Sequence, residues 1–108
     1  MGLFSRNSKG KGAAGASPVS AREAQNQTTQ HFRTFVAEHA GCEAFIEPAT
    51  RVTQTTMVVI ADTGEWTRRK VPDAKAATHL AKALGIPVYD VNLSGYPSRM
   101  REWNAKNR

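Results

Sequence analysis

The sequence predicts an α+β fold. The expected architecture is a small antiparallel sheet of three to four strands, two main helices and a short C-terminal helix, in the order α-β-β-β-α-β-α. Three observations carry this reading. Apolar residues recur at helical spacing in two separate stretches, around Phe32–Ala40 and Ala74–Leu84. Between them lie short segments rich in Thr and Val, one holding the run Met57-Val58-Val59-Ile60. The length of 108 residues suits one domain.

Residues 1–17, MGLFSRNSKGKGAAGAS, hold mostly Gly, Ser, Ala and basic side chains. Such a segment buries too little apolar surface to offset its ordering entropy, so a disordered basic tail is expected. The folded domain is expected over 18–108. Ser20 followed by Glu23 matches a capping box and predicts a helix over about 21–39, with Gly41 past its end. Its second half carries Phe32, Phe35 and Val36 on one stripe, while residues 25–30 are polar all round.

Three strands are expected next. Cys42–Glu47 alternates and stops at Pro48. Arg51–Ala61 contains the four-residue apolar run, which suits a central strand covered on both faces. Asp62-Thr63-Gly64 turns the chain, and Glu65–Val71 runs back with Trp66, Arg68 and Lys70 on one face and Thr67, Arg69 and Val71 on the other. A second helix is expected from about Pro72-Asp73 to Leu84, ended by Gly85. Ile86–Val91 reads as a fourth strand. Ser98–Lys106 reads as a basic helix anchored by Met100 and Trp103.

Charge is concentrated at the chain ends. The formal total is +6. Arg6, Lys9 and Lys11 precede residue 20 with no acid among them. Arg99, Arg101, Lys106 and Arg108 face only Glu102 in the last stretch. The middle of the chain is balanced. Basic ends on a neutral body suit a polyanion or simple solubility.

Several classes are disfavoured. No apolar run reaches the roughly 18 residues of a membrane span, and the first residues lack a secretory h-region. The lone Cys42 cannot form an internal disulfide, so a cytoplasmic setting is expected. No phosphate loop or dinucleotide fingerprint is present, so no cofactor is expected. His39 and Cys42 stand three apart, but no further ligand spacing completes a zinc set, and no metal is expected. Cys42 lies beside Glu43 and Glu47, which raise a thiol pKa. Glu43 and Glu47 share a strand face and read as an ordinary solvated edge. Ser94 with Asp90 and a histidine does not resemble a nucleophile elbow. No catalytic residue is assigned, and an enzyme is the least supported class.

Nucleic acid has partial signals. Arg68-Arg69-Lys70 followed by Lys75 places base at a strand-to-helix junction. With the α-β-β-β-α order, this looks like a double-stranded RNA-binding domain in topology, a family that straddles phosphates with lysines there. The segment Ala81–Val91 has helix-turn-helix spacing, but Pro87-Val88-Tyr89 is poor recognition-helix material. Arg99 and Arg101 flank Met100 between Tyr96 and Trp103, an arrangement able to stack on unpaired bases or to pack as core.

The segments Glu65-Trp66-Thr67-Arg68-Arg69, Gly85–Val91 and Gly95–Arg101 together resemble a small actinobacterial family of unassigned function, sometimes labelled oxidoreductase. The resemblance implies no catalytic residues. The residues therefore lead to a non-catalytic basic module that contacts RNA or a ribonucleoprotein through Arg68, Arg69, Lys70, Lys75, Arg99 and Arg101. The alternative is a protein-interaction or regulatory subunit, or a homodimer, using the sheet edge or the polar first half of helix one.

Overall fold

A computed structural model describes residues 18–108, with side chains from Ser20 onward. The expected tail over 1–17 lies outside the described residues. The elements run α1 (Pro18–Glu38), β1 (Glu43–Glu47), β2 (Thr56–Ile60), β3 (Trp66–Lys70), α2 (Ala74–Leu84), β4 (Val88–Asp90), α3 (Val91–Ser94) and α4 (Ser98–Lys106). The fold is α+β, in the expected order with one added helical turn, α3.

The four strands form one sheet in the order β3-β2-β1-β4. β1–β2 and β2–β3 are antiparallel, with Phe45 opposite Val58 and Val58 opposite Arg68. β4 instead joins β1 in parallel, pairing Phe45 with Tyr89. The sheet is therefore mixed, which corrects the expectation of an antiparallel one. The cause is connection length. β3 and β4 are the two edges, and the chain crosses the whole sheet between them through α2, as a parallel addition requires.

Alternation along the strands sends side chains to two covered faces. On one face Ala44, Ile46, Met57, Val59 and Ala61 pack under Phe32 and Phe35 of α1 and Ala77 and Ala81 of α2. On the other, Phe45, Val58 and Ile60 pack with Met100 of α4 and Trp66. This two-sided cover explains why Met57 to Ile60 are all fully buried. The Trp66 indole N–H donates to Asn104 Oδ1 at 2.8 Å and fastens α4 to β3. Gly64 (φ 95°) lets the β2–β3 turn touch α4, because a Cβ there would stand 2.0 Å from the Arg99 carbonyl oxygen.

Boundaries differ from the sequence reading in three places. α1 begins at Pro18, so Ser20 and Glu23 lie inside it and do not form its starting box. β2 begins only at Thr56. The preceding loop is held by the Thr50 hydroxyl, which accepts from the Val52 and Thr53 amides, local bonding that competes with a ladder. α2 begins at Ala74, not Pro72; Asp73 caps it by accepting from the Ala76 amide at 2.8 Å, and Gly85 closes it in the left-handed conformation. Residues 88–90 are strand, so the helix-turn-helix spacing has no second helix there. No helix among the described residues is long and apolar enough to cross a membrane.

Candidate functional site

The six cations singled out in the sequence do not form one patch. Two are tied to carboxylates on the α4 face. Arg68 forks onto Glu47, donating from Nε at 2.8 Å and from an η nitrogen at 2.9 Å. It also lies over the Trp66 ring, 5.0 Å from its centroid. Arg99 donates to Glu43 at 2.6 Å and to the Ala61 carbonyl at 2.9 Å. Arg101 donates to the Tyr96 carbonyl at 3.2 Å. Arg99 sits at the Ile60–Trp66 end of the β2–β3 ladder, whereas Lys70 pairs with Thr56 at the other end.

Glu47 and Glu43 are thus not a solvated edge. β1 is interior to the sheet, and each carboxylate faces a guanidinium. Glu47 also accepts from the Thr56 hydroxyl at 2.5 Å and from the Tyr96 phenol. Burial pushes this carboxyl up, but the bonds from Arg68, Thr56 and Tyr96 outweigh it and hold Glu47 below the usual range. The same Glu47 bonds raise Arg68, and burial first, then Glu47, raises the Tyr96 phenol.

The other three cations gather at the β3–α2 corner. The Arg69 guanidinium reaches His31 Nδ1 at 3.2 Å, and His31 Nε2 lies 2.5 Å from the Thr67 hydroxyl. A guanidinium only donates, so Nδ1 accepts and Nε2 carries the proton. Burial first, and the Arg69 charge second, lower the His31 pKa. Lys70 and Lys75 are exposed, and their side chains make no hydrogen bond or ion pair among the described residues.

A groove of about 800 Å³ opens beside this corner. The first half of α1 forms one wall through Ala21, Ala24, Gln25 and Thr28. Val71, Pro72, Ala76 and Leu80 line its apolar part, and Gln54, Thr56, Arg68, Arg69 and Lys70 line the side opposite α1. The groove exists because α1 is anchored at its C-terminal half by Phe32 and Phe35, while its polar half extends past them. Among the described residues, no Asp, Glu or aromatic side chain lines it. Sequence reasoning missed His31 and the groove. The nearest signal was the polar stretch 25–30 on a helix whose other half is apolar.

The remaining chemical candidates are separate. Cys42 is buried, lies 3.6 Å from the His39 carbonyl, and its thiol is pushed up by burial and Asp62. His39 stacks on Phe35 and pairs with Glu65 at 3.2 Å. Its pKa is raised, chiefly by the bond to the Phe35 carbonyl. Asp90 accepts from the Asn92 amide, and the Ser94 hydroxyl donates to the Gly95 carbonyl. No group of three or more metal-ligating side chains occurs among the described residues.

No family model, curated protein or solved structure matches the chain.

Proposed function

We propose that the protein is a non-catalytic protein-interaction module whose contact surface is the groove between the first half of α1 and the β3–α2 corner. One observation carries this reading. The two surfaces named from the sequence, the sheet edge and the polar half of helix one, face each other as walls of one groove with an apolar floor. A lining of Pro72, Leu80 and alanines suits apolar side chains of a partner. Among the described residues the groove holds no aromatic ring of the kind on which unpaired bases stack.

RNA is the second reading, favoured by Arg69, Lys70 and Lys75, which have no carboxylate partner among the described residues. One experiment separates the two. The full chain is used as bait in lysate of its source cell, with and without nuclease, beside an Ala24→Trp variant that fills the groove. The expected result is one protein retained after nuclease by the native chain and lost by the variant. Retention that vanishes with nuclease overturns the protein reading in favour of RNA.

A further inference from the structure

We infer that the groove takes an acidic segment of a partner protein, one that places carboxylates on Arg69 and Lys70 and apolar side chains on Pro72, Ala76 and Leu80. This rests on the reading of the groove as a protein-interaction site and adds the chemistry of the partner.

The argument is charge complementarity. On the α4 face the chain supplies its own counter-ions, since Glu47 neutralises Arg68 and Glu43 neutralises Arg99. Of the three bases that line the groove, Arg68 has Glu47, while Arg69 and Lys70 have no carboxylate partner among the described residues. The carboxylates close to them in sequence or register are already engaged, and Glu23, on the α1 wall, accepts from Gln27 at 3.5 Å. Glu47, on the strand register that holds Lys70, accepts from Arg68, Thr56 and Tyr96. Asp73, three residues past Lys70, caps α2. Among the described residues, the hydrogen-bond partner of the Arg69 guanidinium is a neutral imidazole. A neutral partner leaves these cations uncompensated, and a basic one is repelled by them. A carboxylate partner instead forms charge-assisted hydrogen bonds. The apolar lining supplies the second requirement, because a purely acidic polymer leaves the exposed surface of Pro72, Ala76 and Leu80 uncovered.

The test uses the full chain and three labelled 14-residue peptides, of alternating Glu and Val, alternating Lys and Val, and alternating Glu and Ser. A 12-nucleotide oligouridine is the fourth probe. Binding is read by fluorescence anisotropy at low salt, and its location by amide shifts in a ¹⁵N-labelled sample. The Glu/Val peptide is expected to bind tightest and to shift Thr28, Lys70, Val71 and Ala76. Arg69→Glu with Lys70→Glu is expected to weaken it at least tenfold, and Lys70→Glu alone about threefold. Raising salt is expected to weaken it further.

If the Lys/Val peptide binds as well as Glu/Val and Ala24→Trp blocks both, the groove reading stands and the acidic partner is overturned. If Ala24→Trp leaves Glu/Val binding unchanged, the groove itself is not the site and both readings fall. If oligouridine binds tightest and shifts the same amides, the partner is a nucleic acid and the inference is overturned.

Discussion

On the α4 face of the sheet, cations are structural. Arg68 and Arg99 each hold a carboxylate on β1, and Glu47 collects an arginine, a threonine and a tyrosine. On the α1 face, one residue along the same strand, Arg69 meets a neutral histidine; Lys70, at the end of β3 and back on the Arg68 face by alternation, makes no side-chain hydrogen bond or ion pair among the described residues. Arg68 and Arg69 are adjacent in the chain, yet the strand period of two sends them to opposite faces. A cluster written as three consecutive bases is therefore two different things. One part braces the fold, and the other remains available to an outside anion.

The largest expected effect breaks the braced face itself. Gly64→Ala puts a Cβ 2.0 Å from the Arg99 carbonyl oxygen at a residue with φ of 95°. The turn and α4 cannot both keep their places, and unfolding stability is expected to fall by about 3 kcal/mol or more, read from the denaturant midpoint. Next comes Glu47→Ala, which leaves Arg68, Thr56 and Tyr96 without their shared acceptor. Arg68 is partly exposed, so the loss is discounted for solvent to about 1–2 kcal/mol. Because the Glu47 pKa is depressed in the fold, its contribution is complete above about 4.5 and is lost as pH falls through the lower folded value. The native chain and Glu47→Ala are expected to converge in stability on acidification.

The smallest effects concern two histidines of opposite sign. His31 has a lowered folded pKa, so its contribution is present above about 6.5 and lost as pH falls through the folded value. His39 has a raised one, so its contribution is present below about 6.5 and lost as pH rises through the folded value. Thermal melts between pH 5 and 8 are expected to show His31→Gln and His39→Gln changing the pH slope in opposite directions. Equal slopes would mean that the two imidazoles sit in equivalent surroundings.

Much of the framework was legible in the sequence, because local rules decide it. Met57–Ile60 is apolar on both parities and became the doubly covered strand. Gly85 ended its helix, and the two faces of β3 followed from alternation. The parallel placement of β4 was not legible, since Val88–Asp90 reads the same in either direction and only the path of α2 fixes its neighbour. The Glu47–Arg68 pair spans 21 residues and depends on the registers of β1, β2 and β3 together. The groove depends on how far α1 overhangs the core. Residues 25–30 signal exposure, but not what lies across from them.

The most direct test crosses a braced arginine with a groove arginine. Arg99→Ala and Arg69→Ala are each measured for thermal midpoint and for affinity toward the Glu/Val peptide. Arg99, held by Glu43 and away from the groove, is expected on substitution to lower the midpoint by several degrees with affinity kept within twofold. Arg69→Ala is expected to weaken affinity about fivefold with the midpoint shifted by less than about 2 °C. The opposite pattern, binding lost with Arg99 and stability lost with Arg69, would contradict the division of the cations into braced and receptive ones.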